Sequence, residues 1–133
     1  MRRKRNIFAG VLVMTMVCCG SIVAFAGAQS TTWYKNGKAY LSGSLSTVAG
    51  ELLASDEAKA TSSYAGSAAA NVKVKVDLIK DGSVSKTSGW ITKEVTANTG
   101  WVTKVGMDSA KGYYNCDDGP GYWSSNKTLS SSF

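Results

Sequence analysis

The chain has 133 residues, no histidine and three cysteines, two of them in an apolar N-terminal run, so Ser-His-Asp and Cys-His catalysis and histidine metal sites are excluded at once. The formal net charge is +6, but Arg2, Arg3, Lys4 and Arg5 supply four of those charges, and every later basic residue is a lysine. Without guanidinium groups or a lysine block there is no carrier for bidentate reading of phosphates and bases, which argues against nucleic acid as a partner.

In chain order, Met1 to Arg5 is basic and Ile7 to Gly27 carries no charge. Ala24-Phe25-Ala26 and Ala26-Gly27-Ala28 both offer the small-x-small pattern that signal peptidase needs. These features predict a signal-peptide helix over residues 1–28, cleaved after Ala26 or Ala28, and hence a secreted, extracellular protein. An uncleaved anchor is the alternative, since about 20 apolar residues span a bilayer. Cys18 and Cys19 fit a lipoprotein poorly, because Val17 is bulky and the apolar run continues past them. The remainder is about 105 residues, the size of one domain with one core. Residues 29–123 are expected to form it, with 124–133 as a flexible Ser-rich tail.

Asn36-Gly37 after Trp33-Tyr34 is a type I′ hairpin signal, with a second strand from Ala39 to Ser46. Val48 to Lys59 favours helix by propensity, but Gly50 and Ser55-Asp56 interrupt it, so a short helical turn within a loop is expected. Ala60 to Tyr64 reads as a strand. The clearest element is Val72-Lys73-Val74-Lys75-Val76-Asp77-Leu78-Ile79. Its strict alternation predicts a strand with one face in a core and one in water, and Asp81-Gly82 turns it back into Ser83 to Ser88. Gly89-Trp90-Ile91-Thr92-Lys93 recurs as Gly100-Trp101-Val102-Thr103-Lys104. The two copies read as successive antiparallel strands whose tryptophans close one end of the fold. Tyr113-Tyr114 precedes a turn-rich Cys116 to Gly121, and Tyr122-Trp123 is expected as a short edge. The whole predicts an all-β protein, a small antiparallel sandwich or barrel of about six to eight strands.

The residues suggest no chemistry of bond making. No phosphate loop is present, and nine scattered acids give no carboxylate pair, so the chain reads as a non-enzyme with no catalytic residue, metal or cofactor. Asn115 to Gly119 with Asp108 offers oxygen ligands for calcium, yet its spacing fits an Asx turn better. Cys116, the one cysteine outside the signal, is either an incidental buried thiol or a bridge to a second molecule, as in a disulfide-linked dimer. The aromatics are the candidate binding surface, for sugar rings or for the membrane interface: Trp90, Trp101, Tyr113, Tyr114, Tyr122 and Trp123. Adjacent residues of a strand face opposite ways, so one of each Tyr113-Tyr114 and Tyr122-Trp123 pair should point outward. For most of the large aromatics the plainer role is the core of a domain that has no internal disulfide.

Thr32-Trp33, Ser62-Ser63-Tyr64, Ser88-Gly89-Trp90, Trp101 and Ala110-Lys111-Gly112-Tyr113-Tyr114-Asn115 together resemble the lactococcin 972 type of secreted bacteriocins. The resemblance implies a small β-sandwich exported by Gram-positive bacteria that acts on the envelope of related cells by binding the wall precursor lipid II. The chain departs from that pattern in a longer middle at Thr47 to Lys59, in lacking a histidine-containing segment, and in running on past Asn115. The other expectation is a wall- or surface-associated binding or adhesion module without antimicrobial activity, whose partner is cell-wall glycan.

Overall fold

The computed structural model describes residues 25–133. The expected signal-peptide helix lies almost wholly outside them, and both expected cleavage points fall inside the first strand. Ten strands are formed among the described residues: β1 (Phe25–Lys35), β2 (Lys38–Ala49), β3 (Ser55–Tyr64), β4 (Asn71–Lys80), β5 (Ser83–Thr87), β6 (Ile91–Glu94), β7 (Thr96–Asn98), β8 (Val102–Val105), β9 (Ser109–Asp117) and β10 (Lys127–Ser132). They make two antiparallel five-stranded sheets, a sandwich and not a closed barrel. The first sheet runs β1-β2-β3, with β7 and β8 both on the free side of β3; the second runs β10-β9-β4, with β5 and β6 both on the free side of β4.

The alternation read from the sequence sets the core. Val72, Val74, Val76 and Leu78 of β4 are fully buried, as are Leu41 and Leu45 of β2, Ala58 and Ala60 of β3, and Ala110 and Tyr114 of β9. Burying each of the larger aliphatic side chains contributes about 1.5–3 kcal/mol. Both expected hairpin turns form with two consecutive left-handed residues, Asn36 and Gly37 at φ 53° and 77°, and Asp81 and Gly82 at φ 52° and 77°. That pattern is the type I′ turn, whose twist matches the flanking strands.

Several expectations are corrected. Val48 to Lys59 forms no helical turn. β2 runs to Ala49, a tight turn closes with Ala54 N–H donating to Glu51 C=O at 2.9 Å, and β3 starts at Ser55. Asp56 holds that corner: its carboxylate accepts from Gly50 N–H at 2.8 Å and Met107 N–H at 2.7 Å. The Ser-rich tail contributes β10, paired with β9 from Lys127↔Tyr114 to Ser132↔Ser109. Tyr122 and Trp123 lie in the loop before it and not in a strand.

The tryptophan repeat is a duplicated edge device rather than two neighbouring strands. β5 and β6 pair with different halves of β4, and Ser88-Gly89-Trp90 bulges out between them. At the break Ser88 N–H donates to Val76 C=O, while Val76 N–H is met by the Ser88 hydroxyl, each at 2.9 Å. β7 and β8 divide β3 in the same way around Asn98-Thr99-Gly100-Trp101. There Thr99 N–H donates to Ala60 C=O at 2.9 Å, and the Thr99 hydroxyl accepts from Ala60 N–H at 3.0 Å. Gly89 and Gly100 both take φ near +70° (69° and 71°), which glycine alone adopts without strain. The two copies serve the free sides of opposite sheets, and their tryptophans lie outside the sandwich instead of closing its end. Val95 carries the chain between sheets, donating its N–H to Ala70 C=O and accepting from Tyr64 N–H.

Gly43 sits on the inner face of β2 beneath Trp33 and Tyr114, whose rings are 5.2 Å apart. A Cβ there would come within 2.7 Å of the Trp33 ring and 2.9 Å of the Tyr114 ring. Gly43→Ala is therefore expected to cost about 1–3 kcal/mol through overpacking. Urea unfolding of the two proteins side by side checks this, and an unchanged midpoint would contradict the packing described.

Candidate functional site

The outer face of the second sheet carries the site. Inward valines on β4 oblige Lys73, Lys75 and Asp77 to face outward, and on β9 the alternation that buries Tyr114 turns Lys111 and Tyr113 out. Register sets Lys75 opposite Tyr113 and Asp77 opposite Lys111. Two further rings are laid over this face by irregular chain: Trp90 from the Ser88-Gly89 bulge, and Tyr122 from the loop before β10.

The result is an alternating row of rings and ammonium groups. Lys73 Nζ lies 4.4 Å from the centre of the Tyr122 ring and 4.7 Å from that of Trp90. Lys75 Nζ lies 5.3 Å from Trp90 and 4.6 Å from Tyr113, and Lys111 Nζ lies 5.3 Å from Tyr113. Trp90 and Tyr113 meet edge to face, 6.4 Å between centroids. The order along the face is thus Tyr122, Lys73, Trp90, Lys75, Tyr113, Lys111. Each cation–π contact at a partly exposed site is worth about 0.5–1 kcal/mol, so the row holds its own lysine stems in place. Trp90 is 39% exposed and Tyr122 38%, which leaves ring surface open to a ligand.

One carboxylate underlies the row. Asp77 is 3% exposed, its Oδ2 lies 3.7 Å from Lys75 Nζ, and its Oδ1 has no hydrogen-bond partner. Burial, and after it the Asp77 charge, holds the Tyr113 hydroxyl above the ordinary tyrosine range. Three ammonium groups stand against the buried Asp77 and against Asp117, whose charge reaches the Tyr122 hydroxyl at one end of the row, and the surface stays positive. Such a face can stack sugar rings on its aromatics and meet phosphate or carboxylate groups with its lysines.

Of the expected site aromatics, Trp90, Tyr113 and Tyr122 are brought together here. Trp101 lies over the opposite outer face, with Lys59 Nζ 4.9 Å from its ring. Tyr114 leaves the candidate list: it is fully buried, and its hydroxyl donates to Ser44 C=O at 2.7 Å. Trp123 packs on Tyr40 at 4.9 Å at one end of the sandwich. Its backbone is clamped by Asn115, whose side chain accepts from Trp123 N–H at 2.9 Å and donates to Trp123 C=O at 3.0 Å. In the sequence Lys73, Lys75 and Asp77 read only as a solvated strand face, and Lys111 figures only in the matched Ala110 to Asn115 segment. Their signal was the alternation itself, but pairing them with rings needs the β4–β9 register.

The remaining candidates resolve simply. Asp117 forms an Asx turn, accepting from Gly119 N–H at 2.8 Å and Gly121 N–H at 2.9 Å. Asp108 is far from it and caps the β4–β5 hairpin, accepting from Asp81 N–H at 2.7 Å. Among the described residues no three His, Cys, Asp or Glu side chains stand close enough to hold a metal ion. Cys116 is fully buried, so a disulfide-linked dimer through it requires the end of β9 to open.

The chain matches no family model, no curated protein and no solved structure.

Burial pushes the Cys116 thiol up to about 11 from its ordinary 9.0. Folding therefore favours the protonated thiol. That contribution is complete below about pH 9 and is lost as the pH rises from there through about 11. Cys116→Ala is expected to flatten the fall in stability across that window, as read by urea melts at stepped pH. At pH 8 a thiol reagent should label Cys116, followed on its own peptide by mass spectrometry, only as fast as the protein unfolds. Rapid labelling of Cys116 in folded protein would contradict the burial.

Proposed function

We propose that this is an exported, non-catalytic binding protein of the Gram-positive cell envelope, and that the outer face of its second sheet takes an acidic glycan. The observation that carries this reading is the row Tyr122–Lys73–Trp90–Lys75–Tyr113–Lys111. Wall polymers combine sugar rings with phosphate or carboxylate groups. An alternation of aromatic faces and ammonium groups suits that combination in a way that a purely basic or purely aromatic patch does not. Asp77 keeps the lysines from repelling one another in the empty state, and the edge-to-face packing of Trp90 on Tyr113 keeps the rings upright.

A second reading has a specific observation in its favour. Three residues that carry the resemblance to lactococcin 972-type bacteriocins, Trp90, Lys111 and Tyr113, are members of this row, and the matching Ala110 to Asn115 segment lies within β9. Lipid II presents a pyrophosphate and sugars, the same chemistry in one molecule. On that reading the same face captures the wall precursor, and binding arrests growth.

Co-sedimentation with purified Gram-positive wall tests the first reading. The protein is expected to pellet with wall, less so as salt rises, because exposed charge contacts are screened over a Debye length of about 10 Å at 0.1 M. Trp90→Ala and the Lys73→Gln/Lys75→Gln pair are each expected to weaken binding by about tenfold, the equivalent of about 1.4 kcal/mol. Wall binding that neither variant alters would sink the assignment of this face. Spotting the same proteins on lawns of several Gram-positive species separates the two readings. Clear zones from wild-type protein, suppressed by added lipid II, favour the bacteriocin.

A further inference from the structure

A cleft of about 790 Å³ opens at the end of the sandwich where the β1–β2 turn, the chain after β3 and the chain after β9 converge. Its wall is built around Tyr40. The Tyr64 ring meets Tyr40 edge-on at 5.5 Å and an interplanar angle of 88°, and Trp123 packs against it at 4.9 Å. Asp118 closes the side: its Oδ2 accepts from the Tyr64 hydroxyl at 3.3 Å, while its Oδ1 is shielded from water and takes no hydrogen bond.

An ammonium group already occupies this setting, and it is the protein's own. Lys35 Nζ stands 4.7 Å from the centre of the Tyr40 ring and 3.7 Å from Asp118 Oδ1. The second distance is an ion pair and not a hydrogen bond, so the acceptor is still open. Lys35 comes from the mouth of a hairpin turn on a flexible four-carbon stem, and its side chain is 34% exposed. A partly exposed pair of this kind contributes little, so the lysine is easily displaced. Ring faces beside a shielded carboxylate are the chemistry that recognises cationic head groups. The volume lies within the range of about 300–1,000 Å³ usual for small-ligand sites.

We propose that this cleft is a receptor for an alkylammonium group, with Lys35 as a resident occupant that the ligand replaces. The site is separate from the lysine–aromatic face and does not depend on the reading given to it. Burial as the first cause, and after it the neighbouring Asp118, holds the hydroxyl of Tyr40, which lines the cleft, above its ordinary range. Lys38 also lines the cleft, so the place open to a ligand's positive charge is the corner between Asp118 and the Tyr40 ring, where Lys35 now stands.

The test is a titration of the full folded chain with choline chloride and, separately, ethanolamine hydrochloride, at an ionic strength held constant with sodium chloride. Tryptophan fluorescence and the aromatic proton resonances of Tyr40, Tyr64 and Trp123 report binding. Lys35→Gln removes the competitor and is expected to bind about fivefold more tightly than wild type, the equivalent of about 1 kcal/mol. Asp118→Asn keeps the shape and loses the charge; it is expected to bind about tenfold more weakly than wild type. The gain in Lys35→Gln is an effect that a misfolded variant does not produce, and circular dichroism confirms the fold of Asp118→Asn. A stronger response to choline than to ethanolamine marks recognition by the rings, and the reverse marks recognition by Asp118; either supports the cleft. No saturable response from wild type or Lys35→Gln, or equal affinity in all three proteins, overturns it.

Discussion

Strand β4 has to satisfy two environments at once, and most of the molecule follows from how it does so. Its even-numbered residues Val72, Val74, Val76 and Leu78 are wholly buried, and its odd-numbered Lys73, Lys75 and Asp77 are forced to the other side. A shift of one residue would place three charges in the core and four aliphatic side chains in water, so the register is strongly fixed. The same register sets the partners of the charged face. Once Val74 lies opposite Tyr114, Lys75 must lie opposite Tyr113. The core and the lysine–aromatic face are therefore one decision read from two sides of a strand.

The sandwich has to protect its edges without histidine, internal disulfide or helix among the described residues. On two of its four edges it does so by breaking the strand. On the free side of β4 and again on the free side of β3, two short strands replace one long one, with a hydroxyl filling the missing ladder position. Short, bulged edges resist pairing with other chains. Lysines complete the closure, with Lys86 Nζ donating to Thr103 C=O at 3.0 Å and Lys104 Nζ to Ser85 C=O at 3.4 Å between β5 and β8. The bulge that blunts each edge also delivers a tryptophan to the outer surface beside a lysine of the central strand. Edge protection and the placing of an exposed ring are thus coupled in one short device.

Local chemistry was legible in the sequence, and long-range pairing was not. Asn36-Gly37 and Asp81-Gly82 announced their turns because left-handed torsions need those residue types, and the valine alternation announced β4. β3 was half missed, because its inward residues Asp56, Ala58, Ala60 and Ser62 are too small or too polar to register as a hydrophobic stripe. β10 was missed for a related reason: Leu129 is the one large apolar residue in Lys127–Ser132. The alternation argument correctly divides Tyr113 from Tyr114 but cannot say which of the two faces outward. Strand order decides the rest. Nothing local says that Trp90 belongs with Lys73 and Tyr122 while Trp101 belongs with Lys59 on the far side.

The central claim is that the outer face of the second sheet is the working surface. Two-dimensional amide and aromatic NMR of the folded protein, titrated with soluble phosphate-bearing fragments of Gram-positive wall polymer, tests it most directly. The account predicts saturable shifts centred on Lys73, Lys75, Trp90, Tyr113 and Tyr122, with the outer face of the first sheet quiet. Shifts centred elsewhere, or none at all while the protein still pellets with intact wall, would contradict it.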